Sequence, residues 1–360
     1  MKKLMVAAVA ATMASASMAD ISIKGDAYIQ YADRGIGNSG SITVNTKRVN
    51  LNVIGKFGAT TVVSSFRTDD NDANRSGASN LHQFYIATKV GPVNVKAGDF
   101  YSTIGLGAWS KSEKSTDALS LSTKVGPVTL GVYTTTGGDV DNVVETVDPN
   151  TSVVTVVTTA DAKHIASTTH VSIAADIAGA KIKVIDNPKA KWTNLSAKGT
   201  FGGILVAAEH HKQKSVTVPS VAEGTITLLH VGGKVGTVKW DVAQYKNKDL
   251  VSGDNAKFAP LGSMLVGTKA RGITATAAAN AGDFSKILGA SISAKVAGST
   301  IKVIYTKNTL GATDKVTGAE LIFTRAVIGG KLTANLAKLS GHDTDNMNAT
   351  NRGVRFDVKF

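Results

Sequence analysis

The sequence predicts an all-β fold: a transmembrane antiparallel β-barrel of 16–18 strands, with short periplasmic turns and long extracellular loops. Three observations predict it. Apolar and polar residues alternate with period two from Ile21 to the end, the connections fall into two unequal classes, and the final strand stops on Phe360. Successive side chains of a strand point to opposite faces, so this alternation gives each segment one apolar and one polar face. Beyond the N-terminus no apolar run reaches the ~18–20 residues of a membrane helix. Only helices and closed barrels satisfy every backbone amide in lipid, so a membrane-spanning form of this chain is a barrel.

The N-terminus comes first. Lys2 and Lys3 form a positive n-region, Leu4–Met13 an apolar h-region, and Ser17-Met18-Ala19 a small-residue exit. This is the pattern of a secretory signal peptide, with cleavage expected after Ala19. The expected organisation is thus a signal peptide over 1–19 and a single barrel domain over 20–360. The first strand places Ile21, Ile23, Gly25, Ala27, Ile29 and Tyr31 on one face and Ser22, Lys24, Asp26, Tyr28 and Gln30 on the other. The next alternates Val49, Leu51, Val53, Gly55 and Phe57 with Arg48, Asn50, Asn52, Ile54 and Lys56.

Tight, glycine-centred turns follow at Gly55–Gly58, Val90-Gly91-Pro92, Val125-Gly126-Pro127, Ile177–Gly179, Phe201–Gly203, Gly233–Gly236, Val296–Gly298 and Ile328–Gly330. The string TKVGPV occurs at both Thr88–Val93 and Thr123–Val128. Longer polar connections lie at Asp69–Asn80, Ser102–Asp117, Thr136–Ser167, Lys212–Gly224 and Gly341–Asn351. Short turns on one side and long loops on the other are the asymmetry of outer-membrane barrels. A ninth turn at Lys269-Ala270-Arg271-Gly272 would raise the count towards twenty strands. Within Thr136–Ser167, Val140–Val147 and Val153–Thr159 flank Asp148-Pro149-Asn150 and read as a hairpin, either projecting or part of the wall. The last strand sets Val354, Phe356, Val358 and Phe360 against Arg355, Asp357 and Lys359. Such a strand is expected to be read by the outer-membrane assembly machinery and to close the barrel against the first strand.

Composition excludes several classes. The chain has 36 glycines, six prolines, no cysteine, and a formal charge of +13. No disulfide or thiolate metal site is possible. The positive charge is spread over alternating strands and forms no patch, which argues against a nucleic-acid partner. His210 and His211 are adjacent, so they face opposite sides of a strand and make no metal pair. Asp70, Asp72 and Asn74 imitate the start of a calcium loop, but Arg75 stands where the sharp turn needs Gly and Leu81 where a bidentate Glu belongs. Residues Gly262–Lys269 have the wrong order for a P-loop, and no GxSxG elbow occurs. No enzyme activity, cofactor or metal is expected.

At this point the chain resembles the general diffusion porins of Gram-negative outer membranes. The resemblance rests on ISIKGDAYIQYAD, RVNLNVIGKFGATTVVSSFRTD, HQFYIATKVGPVNVKAGDFYSTIGLG and ALSLSTKVGPVTLGVYTTT over Asp20–Gly138, and on the closing GVRFDVKF. It implies sixteen strands, a homotrimer in the lipid and lipopolysaccharide membrane, and a loop after the fifth strand that folds into the lumen, here Ser102–Asp117. It also implies a transverse field between basic wall residues (Arg48, Arg67 and Lys96) and acidic loop residues (Glu113 and Asp117).

The expected function is a water-filled channel for small hydrophilic solutes and ions. By parity, Lys24, Arg48, Lys56, Arg67 and Lys96 lie on the polar face. Positive charge in a confined lumen concentrates anions, which predicts a weak anion preference. A substrate-specific channel is the alternative, requiring an aromatic slide or a dense binding cluster. Aromatic residues are only 6% of the chain, and no inward run of them is expected. A surface adhesin or structural barrel is a further alternative, favoured by a projecting Thr136–Ser167 hairpin.

Overall fold

The computed structural model describes residues 20–35, 41–71, 79–108, 112–135, 142–147, 154–159, 168–214, 224–248, 261, 284–310, 314–341 and 349–360. The signal peptide expected over 1–19, the turn expected at Lys269–Gly272, the segment Gly262–Lys269 and most of the acidic loop after Asp70 lie outside the described residues.

The strands are β1 (Asp20–Gly35), β2 (Ser41–Phe57), β3 (Thr60–Asn71), β4 (Ser79–Val90), β5 (Val93–Thr103), β6 (Ser112–Val125) and β7 (Val128–Thr135). A hairpin of β8 (Asn142–Val147) and β9 (Val154–Thr159) follows. Then come β10 (Thr169–Ile177), β11 (Ala180–Asn187), β12 (Trp192–Phe201), β13 (Ile204–Gln213), β14 (Gly224–Val235) and β15 (Val238–Lys248). The chain ends with β16 (Phe284–Val296), β17 (Ser299–Leu310), β18 (Asp314–Val327), β19 (Gly330–Gly341) and β20 (Ala349–Lys359).

Eighteen strands form one antiparallel sheet in which each pairs with its neighbours and β7 pairs directly with β10. β1 pairs with both β2 and β20, so the sheet closes on itself and has no edge. The wall therefore exceeds the sixteen strands that the porin resemblance implies. The hairpin β8–β9 forms its own two-stranded sheet and adds nothing to the wall. β15 pairs directly with β16, so the two are neighbours in the wall.

Two-residue turns close one rim, and their residues follow turn chemistry. Gly91 and Gly126 have φ of +58° and +59°, with Pro92 and Pro127 next. Glycine in the first central position is what a type II′ hairpin requires, and proline's fixed negative φ suits the second. This accounts for the repeated VGPV.

The alternation separates the two faces as the pattern demands. Ile23, Tyr31, Phe57, Val90, Val125, Ile173, Val235, Ile292 and Leu336 are all exposed, many by more than half. A contiguous apolar exterior of this extent is a lipid-facing belt. The residues between them face inward. Register fixes the closure: Phe356 lies opposite Ile29, Val354 opposite Tyr31 and Val358 opposite Ala27. The Phe360 amide donates to the Gly25 carbonyl at 3.0 Å, and the Gly25 amide donates to the Phe360 carbonyl at 2.7 Å. A β-carbon on Gly25 would stand 2.3 Å from the Phe360 ring, so glycine is what admits that ring to the seam.

Candidate functional site

Parity on each strand places the inner residues, and cross-strand register then brings them together. Inside, Lys96 lies on β5 opposite Ala87 and Ser120. Its ammonium stands 3.9 Å from the centre of the Tyr85 ring and 4.1 Å from that of Phe100. From there the rings run on around the wall. Phe100 meets Tyr133 edge-on with centroids 5.9 Å apart, Tyr133 meets His170 at 5.1 Å, His170 meets Trp192 at 4.8 Å, and Trp192 meets His211 at 5.5 Å. Tyr85 joins the other end, 6.1 Å from Phe100. These six side chains come from β4, β5, β7, β10, β12 and β13, and they form an aromatic arc along the inner circumference.

This arc corrects the expectation that the lumen lacks an aromatic run. No strand contains two of its members, so nothing along the sequence shows it. His211 belongs to it, while the adjacent His210 faces outward and bonds Thr227 at 3.1 Å.

The segment joining β5 to β6 crosses to the far end of the arc. β6, β7 and β10 intervene between β5 and β11 in the sheet, yet Ile104 packs with Ile185 of β11 and Trp192 of β12. Lys183 of β11 donates to the Thr103 carbonyl at 2.6 Å. Glu209 of β13 accepts the amides of Leu106 and Ala108 at 2.7 and 2.9 Å. Ile185, Trp192 and Glu209 are inner-face residues, so Ile104–Ala108 forms a strap inside the barrel.

Between this strap and the wall lies a cavity of about 240 Å³, lined among others by Lys96, Phe100, Tyr133, His170, Lys183 and Ile104. It combines two ammonium groups with three ring faces or edges. A cation–π pair at such range contributes about 0.5–1 kcal/mol at a hydrated site, and the same rings offer an edge-to-face or stacked partner to a flat solute. The alcove therefore suits a small anion with a planar ring.

The remaining predicted residues fall elsewhere. Lys24 is exposed on the inner face of β1, near the tight-turn rim. Arg48 faces Tyr28 with its guanidinium 5.3 Å from the ring, and Arg355 covers the same ring at 3.8 Å. Arg355 in turn donates its Nε to Asp357 at 2.7 Å. Arg67 on β3 bonds His82 at 3.2 Å. None of these groups is among the alcove's lining residues, although His82 links Arg67 to Tyr101 at the alcove's edge.

Glu113 and Asp117 stand in β6, because the inward segment is shorter than 102–117: β5 runs through Thr103 and β6 begins at Ser112. The Glu113 backbone lies opposite Ser102; its side chain is outside the described residues. Asp117 is exposed at an irregularity in the β5–β6 ladder, with φ +48°, and its amide donates to Asp99 at 2.9 Å. Asp117 thus sits in the wall and not on the strap. Among the described residues, Lys183 is the wall cation that meets the strap backbone, at the Thr103 carbonyl, while Lys96 faces the Tyr85 and Phe100 rings.

Two further features escaped the sequence reading. Exposed inward lysines ring the tight-turn rim, among them Lys89, Lys124, Lys181, Lys198, Lys234 and Lys295. Asp176 opposite Lys181, and Asp357 at 3.8 Å from Lys331, are acidic members of the same rim. On the opposite wall, Ile226, Leu228, Tyr245, Ile287 and Ile304 are buried on inner faces expected to be polar. Leu261, from the connection between β15 and β16, is also buried, and its carbonyl accepts from the inner-face Lys302.

No protein-family profile and no curated protein matches the chain. Solved structures do. A BenF-like porin from Pseudomonas fluorescens Pf-5 superposes with a TM-score of 0.64 at 12% identity, covering 95% of this chain and 98% of that one. Pseudomonas aeruginosa OccK2 (OpdF) in complex with glucuronate gives 0.61 at 11% identity, covering 95% and 98%. Pseudomonas aeruginosa OpdK with vanillate gives 0.60 at 9% identity, covering 95% and 99%. The chain has the closed β-barrel fold of these outer-membrane porins.

Proposed function

We propose that the chain is an outer-membrane channel that passes small hydrophilic solutes, prefers anions, and selects among them for those bearing a planar or cyclic ring. The alcove carries this reading. Lys96 and Lys183 supply the charge, Phe100, Tyr133 and His170 supply the rings, and the strap confines the solute against them. The lysines at the tight-turn rim raise the local anion concentration, because a confined, low-dielectric mouth focuses their field. The similar structures give independent support, since glucuronate and vanillate both join a ring to a carboxylate.

Export through the N-terminal signal and assembly through the strand ending at Phe360 complete the proposal. Unselective diffusion accounts for an inward loop but not for the aromatic arc gathered beside Lys96 and Lys183. The test is planar-bilayer recording of the purified protein with benzoate or vanillate added, and benzamide as the neutral control. Transient, concentration-dependent block by the carboxylates with none by benzamide supports selectivity. Ohmic conductance unaffected by any of them returns the reading to general diffusion, and no conductance at all removes the channel.

A further inference from the structure

The strap is held by a carboxylate of its own barrel wall. Glu209 is 1% exposed, deep on the inner face of β13. Its Oε2 accepts both strap amides, Leu106 at 2.7 Å and Ala108 at 2.9 Å. Its Oε1 accepts Asn194 Nδ2 at 2.8 Å. The strap sequence is shaped to this oxygen pair: a β-carbon on Gly105 would stand 2.0 Å from Oε1, and Gly107 takes a φ of +111° that side chains rarely adopt. Glycine at both places lets the backbone wrap the carboxylate. Convergent backbone amides of this kind form an anion nest. Bonds in which one partner is ionised are the stronger class of hydrogen bond.

We propose that Glu209 is a positioning residue, the latch that seats the strap across the lumen, and that the strap amides with Asn194 form a carboxylate nest occupied by Glu209 itself. The other two anchors are weaker guides to position. Ile104 gives non-directional apolar contact with Ile185 and Trp192, and Lys183 holds one carbonyl through a flexible stem. Glu209 fixes two alternate amides of the strap, those of Leu106 and Ala108, from the far wall. Releasing it frees the strap from β13, widens the passage and opens the alcove. A small carboxylate in solution then has the same donors available and takes the vacated place.

The chain has no cysteine, so a single Ile104→Cys substitution gives a clean reporter at a site that is 2% exposed. Its labelling by a water-soluble maleimide is compared with that of Ile104→Cys combined with Glu209→Ala, in folded protein verified by heat-modifiable migration. Loss of the latch is expected to speed labelling by at least about tenfold, the equivalent of losing one charge-assisted bond. Acetate or formate is expected to slow it again in the Glu209→Ala background and to do nothing where Glu209 is present. Equal labelling with and without Glu209 overturns the latch. Faster labelling that acetate leaves unchanged overturns the nest.

Should Glu209→Ala fail to fold, Gly105→Ala keeps the glutamate and drives the strap off it, with the same expected acceleration. Single-channel conductance supplies a second readout, expected to rise about twofold as the passage widens. Only this arm rests on the channel reading, so a silent protein with latch-dependent labelling separates failure of that reading from failure of the latch.

Discussion

Replacing Lys96 probes the alcove most sharply. The ammonium lies between the Tyr85 and Phe100 rings, 3.9 and 4.1 Å from their centres, and points into the cavity. A solute carboxylate brought within about 4 Å of it gains about 1 kcal/mol at the dielectric of water and about 4 kcal/mol at an effective value of 20. Lys96 is partly exposed in a hydrated lumen, so the low end of that range applies, about 1–2 kcal/mol. That converts to a loss of about 5- to 30-fold in the affinity of a blocking carboxylate for Lys96→Gln. Lys96→Glu replaces attraction by repulsion and should about double the free-energy change. The assay is the dwell time and frequency of benzoate block in single-channel records, repeated at higher salt, where screening should shrink the difference. Benzoate block in Lys96→Glu that matches the parent protein refutes the reasoning.

Three further outcomes are expected. Tyr133→Ala removes a ring from the middle of the arc without changing charge, so benzoate block should weaken by about 2- to 10-fold, the range of one aromatic pair, while the reversal potential in simple salt stays put; a shifted potential would contradict the division of roles. Excising 142–159 should leave folded barrel and conductance intact, because among the described residues β8 and β9 pair with each other and with no wall strand; loss of heat-modifiable barrel would show that the hairpin supports the wall. Gly25→Val should lower the yield of closed barrel, since its β-carbon would meet both the Phe360 ring at 2.3 Å and the Asn50 carbonyl at 2.8 Å; normal assembly in a folding assay with lipid vesicles would show that the seam tolerates displacement.

The wall was legible because its signal is local. Period-two alternation in Ile21–Tyr31 or Val354–Phe360 needs only neighbouring residues, and turns such as Val90-Gly91-Pro92 announce themselves by backbone chemistry. The hairpin within Thr136–Ser167 was legible for the same reason. Strand number was less so: Lys269–Gly272 has the composition of a turn, but composition alone does not say whether wall strands flank it.

The alcove depends on non-local register. Tyr85, Phe100, Tyr133, His170, Trp192 and His211 come from six strands, and their alignment follows from the stagger of the whole sheet. A one-residue slip would turn any of them to the lipid. Lys96 was identified by parity, whereas its partner Lys183 required the strap to be placed. Glu209 looked like an ordinary strand residue beside two histidines. The one available hint was Gly105-Leu106-Gly107, whose glycines allow close approach to a buried group, but the sequence does not say which group.

The proposed channel draws anions through its lumen by fixed positive charge. Reversal potential of the purified, reconstituted protein across a gradient of potassium chloride tests it most directly. A steady current is expected, with a potential displaced towards the chloride equilibrium value and a displacement that fades as total salt rises. A potential displaced towards that of potassium, or a folded barrel that carries no current, would contradict it.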